Sequence, residues 1–218
     1  RRMHIRNECE VVFASAGAQI FGVKKYAEKL AAIVQKRDIH TLFKHNLVAI
    51  DGKKREAHFK NVENQDEKVL RYDMIHVTPP MGAPAFIRNS PLADKEGWIS
   101  VDKFSLQHTK YPNIFGLGDA SSLPTSRTGA AIRKQAPTLV DNLLSFSQGK
   151  PLTAKYNGYT SCPLVTRYGK VILAEFDYDG NPCESFPFDQ SEERTSMYIL
   201  KKHFLPTMYW EGMLKGRL

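Results

Sequence analysis

Cysteine is scarce in this sequence: only Cys9, Cys162 and Cys183 occur among its 218 residues. Three cysteines cannot build a disulfide framework, and no Cys-x-x-Cys pair or Cys/His cluster indicates a zinc site. The 7 histidines are scattered without the spacing of metal ligands. The composition therefore excludes disulfide-stapled and zinc-finger classes and fits a reducing compartment.

Long apolar runs are absent as well. No stretch of about 18 or more apolar residues occurs, so the sequence predicts no membrane-spanning helix, and the first residues do not have the pattern of a signal peptide. Because the chain begins with Arg rather than Met, we expect it to be part of a longer protein. Hydrophobic residues make up 42% of the chain, which is enough for a packed core.

Acidic residues are outnumbered, with 23 Asp and Glu against 31 Lys and Arg, which gives a formal net charge of +8. This excess favours an anionic partner, such as nucleic acid, phospholipid headgroups or a phosphorylated cofactor. The lysines are spread along the chain, and no nucleic-acid recognition motif occurs. We therefore predict no nucleic acid among the partners.

The first segment with regular periodicity predicts a strand, a helix and a strand. Residues 11–14 form a short apolar run typical of a strand buried on both faces. Apolar residues then recur at helical spacing over residues 22–37, and residues 41–50 offer a second strand. This order predicts a parallel unit with a right-handed crossover.

Alternation and proline positions predict the elements that follow. Residues 56–60 and 69–72 alternate as in a hairpin, and residues 74–78 indicate a further strand that stops at Pro79 and Pro80. Residues 79–95 are predicted to be a packed loop, and residues 98–102 a short strand.

The most informative pattern lies between residues 113 and 146. Residues 113–120 predict a buried strand that ends in a glycine turn with Asp119 at its tip, and Gly129 opens a predicted helix that runs to about Phe146 despite Pro137 in its interior. Residues 164–178 then contain two strand-like runs.

The turn and the helix start could bind a ligand. Gly118 would let a ligand approach the backbone closely, and Asp119 could accept hydrogen bonds from ligand hydroxyls. The free N–H groups at the helix start, from Thr128 to Ala130, would stabilise an anionic group such as a reduced flavin. An ordinary strand–turn–helix with an Asx turn explains the same pattern.

Several motifs are similar to known proteins. Asn-Ile-Phe-Gly-Leu-Gly-Asp followed by Pro-Thr-Ser-Arg-Thr, residues 113–119 and 124–128, resembles the C-terminal flavin motif of two-dinucleotide-fold, disulfide-reductase-like flavoproteins. Further blocks resemble the mitochondrial sulfide:quinone oxidoreductase family from about Val11 to the C-terminus. These blocks are residues 20–26, 76–81, 159–166, 172–178 and 186–191.

The resemblance implies an α/β fold, an FAD cofactor, and electrons passing from hydrogen sulfide through flavin to ubiquinone at the mitochondrial inner membrane. One of the family's two redox cysteines matches Cys162, which would form a persulfide and pass its sulfur to glutathione or sulfite. From the residues alone, a lone cysteine before Pro163 is more often an inert buried residue. The residues implied to line the flavin are Gly118, Asp119, Arg127, Thr128, Gly129 and Ala130.

The resemblance also implies that part of the enzyme is missing from this sequence. The family's other cysteine lies upstream of the segment that matches Val11, and Cys9 is too close to Phe21 and Gly22 to take its place. The N-terminal Gly-x-Gly-x-x-Gly motif that binds the FAD pyrophosphate is absent. We therefore expect a C-terminal half that by itself neither holds FAD tightly nor completes the disulfide cycle.

The last segment, residues 194–218, is aromatic, apolar and basic. Pro206 is predicted to divide it into two short amphipathic pieces, of a kind that lies in the membrane interface. A C-terminal helix that caps the core is the alternative. In the related enzymes such helices attach the protein to the membrane and give a quinone access to the flavin.

The sequence therefore predicts three parts. Residues 1–78 form part of a second dinucleotide-binding-like domain, residues 79–193 the returning part of the FAD domain with the redox cysteine, and residues 194–218 a peripheral membrane tail. One alternative is a flavoprotein like type II NADH:quinone dehydrogenase. However, the segment around Gly17, after the first strand, lacks the glycine fingerprint that a nicotinamide site usually has there. The other is a non-catalytic, truncated product that binds the membrane.

Overall fold

The computed structural model describes residues 6–217, and the chain divides into one compact unit that ends at Pro79 and another that begins at Pro80. Residues 1–5 and 218, at the outer ends of the predicted parts, lie outside the described residues. Each unit mixes helices and strands. The α/β class predicted from the sequence is therefore confirmed.

The first unit contains the predicted parallel strand–helix–strand arrangement. Strand β1 (Val11–Ala14) pairs in parallel with β2 (Ile39–Leu42), and helix α1 (Lys24–Lys36) connects them. The helical spacing of the apolar residues buries Tyr26 and Ala27 of α1.

Two details of this region differ from the prediction. The predicted strand 41–50 is split into β2 and β3 (His45–Asp51), because Lys44 has a positive φ of 59° that turns the chain between them. Strand β1 was expected to be buried on both faces, but Val12 is 40% exposed. Within the described residues β1 pairs with β2 alone, so less of it is covered than in the centre of a sheet.

An antiparallel sheet completes the first unit and confirms the predicted hairpin. Strand β4 (Glu56–Asn61) lies between β3 and β5 (Glu67–Arg71). Asn61 closes the hairpin loop, since its Oδ1 accepts a hydrogen bond from the backbone N–H of Glu63 at 2.8 Å. The strand predicted at residues 74–78 is wrong: this segment has no regular structure, and Met74 is 88% exposed.

The second unit begins with irregular but well-packed chain. Helix α2 (Ala85–Arg88) is its first element. The strands predicted at 98–102 and 113–120 are wrong, because these segments form only isolated bridges, such as Val101 with His108 and Phe115 with Gln107. The chain reverses direction too often here to form ladders. The apolar residues of this region still build a core that includes Trp98, Val101, Leu106 and Leu123.

Helix α3 (Gly129–Ser147) and a β-hairpin form the regular part of the second unit. The helix runs through Pro137, as predicted. Strands β6 (Thr160–Arg167) and β7 (Lys170–Phe176) pair antiparallel and confirm the two predicted strand runs. Gly158 precedes the hairpin with a φ of +87°, and a Cβ there would lie 2.2 Å from Tyr178 Cγ, so only glycine fits.

The C-terminal segment is one run of helical turns. Short helices α4 (Thr195–Ile199) and α5 (Leu205–Thr207) alternate with π-helical turns at Leu200–Phe204 and Met208–Gly212, and a 3₁₀ turn ends the run at Lys215. The predicted division at Pro206 is wrong. The wider π turns on both sides continue the helix although the proline lacks an N–H donor. Between residues 6 and 217, no helix has the length and apolarity needed to cross a membrane.

Candidate active site

The Gly-Asp motif forms a 3₁₀ turn (Gly118–Ala120) that is fixed to helix α3. Gly118 has a φ of +66°, and its N–H donates to the Oε1 of the buried Gln135 at 2.8 Å. A Cβ at Gly118 would lie 3.2 Å from the side chain of Ile132. The turn and its packing on α3 therefore require glycine here, and close approach of a ligand at this residue stays a prediction.

Asp119 and Arg127 have different roles in this turn. Arg127 lies 3.7 Å above the Trp98 ring, and its Nε and Nη2 donate to the carbonyls of Asp119 at 3.3 Å and Ser121 at 3.4 Å. Arg127 therefore holds the loop closed. The Asp119 side chain is exposed, and within residues 6–217 its carboxylate has no hydrogen-bond or ion-pair partner. That carboxylate is available to accept hydrogen bonds from ligand hydroxyls.

The start of helix α3 presents free backbone donors. Thr128 is the N-cap, and its Oγ1 accepts a hydrogen bond from the Ala131 N–H at 3.1 Å. The N–H groups of Gly129 and Ala130 are in the first turn and have no acceptor within the helix. Gly129 is exposed, and a Cβ there would have no atom within 4 Å. This end of α3 can therefore receive a negatively charged group.

Strand β6 connects Cys162 to this helix start. The Thr128 and Thr160 hydroxyls are hydrogen-bonded at 2.9 Å, and the Thr160 Oγ1 also donates to the Ser126 carbonyl at 3.3 Å. Cys162 follows Thr160 by two residues, so both side chains lie on the same face of the strand. The Ser126 side chain is close enough to Cys162 to lower the pKa of its thiol. The structure thus brings Cys162 together with the segment 126–130.

The electrostatics at Cys162 are set by burial and by one lysine. Burial raises the pKa of the Cys162 thiol, whereas the Ser126 side chain and the Lys201 charge act in the opposite direction. Lys201 belongs to the C-terminal helical run, and its Nζ donates to the Pro163 carbonyl at 2.9 Å. The sequence placed Lys201 in the basic tail, but no pattern indicated its position beside Cys162, because the contact with Pro163 joins residues 38 positions apart.

Replacing Lys201 with Met should slow alkylation of Cys162. Without the ammonium group, the thiolate loses a favourable charge and the Cys162 pKa rises further, so its rate–pH profile shifts to higher pH. We expect the rate at pH 8 to fall about two- to fivefold, which is the effect of a partly exposed ion pair. The rate is measured with iodoacetamide in a background where Cys9 and Cys183 are Ser. Lys201→Arg should restore it, and equal rates with Met and Arg would contradict the role of the charge.

The other candidate thiols and histidines are found elsewhere. Cys9 is exposed, and Cys183 is half-buried with a pKa raised by burial and by the neighbouring Asp177. His76 is exposed, and His108 is buried, at 4% exposure. Among the described residues no group of His, Cys, Asp and Glu could hold a metal ion.

Comparison with known proteins identifies relatives along the whole chain. No protein-family model matches. The mitochondrial sulfide:quinone oxidoreductase of Dictyostelium discoideum is 54% identical over 218 residues, 100% of this chain and 48% of that protein. The Mus musculus protein of the same name is 48% identical over 99% of this chain and 48% of its own length. The chain is a homologue of the mitochondrial sulfide:quinone oxidoreductases. It spans about half the length of these relatives.

Solved structures agree with this relationship at the level of the fold. The sulfide:quinone oxidoreductase from Aquifex aeolicus matches with a TM-score of 0.80 at 14% identity, over 96% of this chain and 51% of that one. A chain in the mitochondrial ATP synthase of Tetrahymena thermophila matches with a TM-score of 0.77 at 24% identity, over 90% of this chain and 48% of that one. This chain therefore shares its fold with the matched halves of these two structures.

Proposed function

We propose that this chain supplies the C-terminal half of a mitochondrial, FAD-dependent sulfide:quinone oxidoreductase. The observation that carries the proposal is the 54% identity over all 218 residues to an enzyme of that name. The position of Cys162 beside the start of α3 supports it, because a thiol and an anion-accepting helix end lie together. The three parts predicted from the sequence, residues 1–78, 79–193 and 194–218, belong to this proposal.

The residues at the turn fit a flavin. The unpartnered carboxylate of Asp119 suits the hydroxyls of a ribityl chain, and the free N–H groups of Gly129 and Ala130 suit negative charge on a reduced ring. Gly118 and Thr128 shape this surface, and Arg127 holds the loop that carries Asp119. FAD bound there would supply a two-electron carrier between sulfur and quinone.

Cys162 would carry the sulfur. In the overall reaction, hydrogen sulfide and the Cys162 thiol would form a Cys162 persulfide, whose S–S bond is new. The two electrons and two protons released would go to ubiquinone, which would become ubiquinol. Because burial raises the pKa of Cys162, the nearby Lys201 charge helps when the sulfur becomes anionic. The persulfide would then give its outer sulfur to an acceptor, either glutathione or sulfite, and a partner cysteine would lie in the other half of the enzyme.

The C-terminal helical run would bring the enzyme to the inner membrane as a peripheral protein. Phe204, Trp210 and Leu214 are each more than half exposed, and the exposed Lys202 adds positive charge. Aromatic, aliphatic and basic side chains together suit the interface of an anionic membrane. This position would give the hydrophobic quinone a path to the flavin.

Of the alternatives, a type II NADH dehydrogenase is not favoured, because the whole-chain relatives carry the sulfide:quinone oxidoreductase name. A non-catalytic product that binds the membrane through the exposed apolar side chains of the C-terminal helical run is the second candidate.

The visible spectrum of the native protein, isolated from its source and recorded before and after sulfide is added, tests the proposal. We expect a flavin absorption band that bleaches on sulfide addition and returns when ubiquinone is added, because electrons then pass from sulfur to quinone. A flavin band that NADH bleaches but sulfide does not would favour the dehydrogenase. No flavin band at all would favour the non-catalytic product.

A further inference from the structure

A cationic cleft lies in the second unit, between helix α3 and the chain that leads into strand β6. Its volume is about 420 Å³, and its lining includes Arg133, Lys134, Lys155, Asn157 and Tyr159. Sites for small organic molecules typically have volumes of about 300–1,000 Å³. Cys162 does not line the cleft, so an inference about it is independent of the proposed redox function.

The three cations of this cleft have no anionic partner in the protein. Within residues 6–217 neither Arg133, Lys134 nor Lys155 forms an ion pair. The Nε of Arg133 is buried and has no hydrogen-bond acceptor. A buried charged donor without an acceptor is costly, and three like charges around one cavity repel each other. An anion in the cleft would remove both costs.

Glu175 is a carboxylate that hydrogen-bonds the lining residues Tyr159 and Ser185, but it cannot take this place. Glu175 is 3% exposed, and it accepts hydrogen bonds from Tyr159 Oη, from Ser185 N at 2.8 Å and Oγ at 3.0 Å, and from Gln190 Nε2 at 2.7 Å. Burial and this carboxylate raise the pKa of Tyr159 to about 12, so its hydroxyl is neutral at pH 7. Neutral donors occupy the Glu175 carboxylate, and within residues 6–217 neither group forms an ion pair with the three cations.

We propose that this cleft binds a small organic polyanion, a molecule with at least two phosphate or carboxylate groups, through Arg133, Lys134 and Lys155. The guanidinium group suits bidentate contact with either kind of acid, and the lysines add point charges. The Oδ1 of Asn157 accepts a hydrogen bond from the backbone N–H of Tyr159 at 3.1 Å. The side-chain NH₂ group of Asn157 therefore remains as a further donor. The cleft is larger than one inorganic ion needs, which indicates an organic ligand.

Calorimetric titration of the full chain with pyrophosphate and with citrate at low ionic strength tests this inference. We expect saturable binding of at least one probe, and the difference between the two identifies the preferred acid. Lys134→Gln and Lys155→Gln should each weaken binding about tenfold, because each removes a charge-assisted contact. Lys150 is also exposed, and it lies outside the cleft. Lys150→Gln is the matched control, because this substitution removes the same charge. Its dissociation constant should stay within about twofold.

Three results would overturn the inference. The first is no saturable binding of either probe at about 10 mM. The second is equal weakening by Lys150→Gln and Lys155→Gln, because that indicates diffuse attraction to a basic protein. The third is binding of inorganic phosphate as tight as that of both polyanions. Arg133→Gln should abolish binding; the lysine variants, which change exposed side chains, decide the question if this variant does not fold.

Discussion

Cys162→Ser should abolish sulfide-dependent quinone reduction in the flavin-loaded enzyme that contains this sequence. A serine hydroxyl cannot form the S–S bond of a persulfide, so we expect turnover to fall by at least about a thousandfold, as for other removed nucleophiles. The flavin band should remain, because the predicted flavin contacts lie on the Gly118 turn and the start of α3. Turnover is followed by quinone absorbance, and flavin content by the visible spectrum of the same sample.

The control for this experiment is Cys183→Ser. Cys183 is half-buried in the loop after β7, and its Sγ contacts only the Asn181 carbonyl at 3.6 Å among the hydrogen bonds of residues 6–217. We expect this variant to keep its activity within about twofold, since small surface changes have small effects. Retained turnover in Cys162→Ser, or equal loss in both variants, would show that Cys162 does not carry the sulfur.

Replacing Phe204, Trp210 and Leu214 together with Ser should release the protein from anionic vesicles. These side chains are 57%, 62% and 56% exposed, so their removal takes little from the folded core. If burial of each side chain in the interface contributes about 1 kcal/mol to binding, the affinity for the vesicles falls by about a hundredfold or more. Co-sedimentation with vesicles that contain anionic lipid measures this affinity.

Surface substitutions test the tail better than its deletion does. Met197 is 3% exposed and packs on Val171 and Leu173. The backbone of Arg194 also forms an isolated β-bridge with Val171. Deletion of residues 194–218 would therefore uncover the β6–β7 hairpin. The matched control is Phe86→Ser with Tyr168→Ser, since these residues are 78% and 94% exposed but lie outside the tail. If the control pair loses as much vesicle binding as the triple variant, the tail is not the membrane contact.

Regular elements with a clear period could be predicted from the sequence. The helical spacing of apolar residues identified α1, and alternation identified the β4–β5 hairpin. Pattern failed where apolar residues are buried without forming a ladder. Residues 98–102 and 113–120 look like strands, yet they make only isolated bridges, because burial there comes from packed turns around Val101 and Leu106.

The sequence by itself determined the family resemblance, the thiol at Cys162 and the carboxylate at Asp119, because these depend on residue types at local spacing. Only the tertiary structure decided which of them meet. The Thr128–Thr160 hydrogen bond, the Lys201 contact with Pro163 and the cations around the cleft all join residues far apart in the chain. Such contacts depend on how helices and strands pack against each other, and no local pattern of residues contains that information.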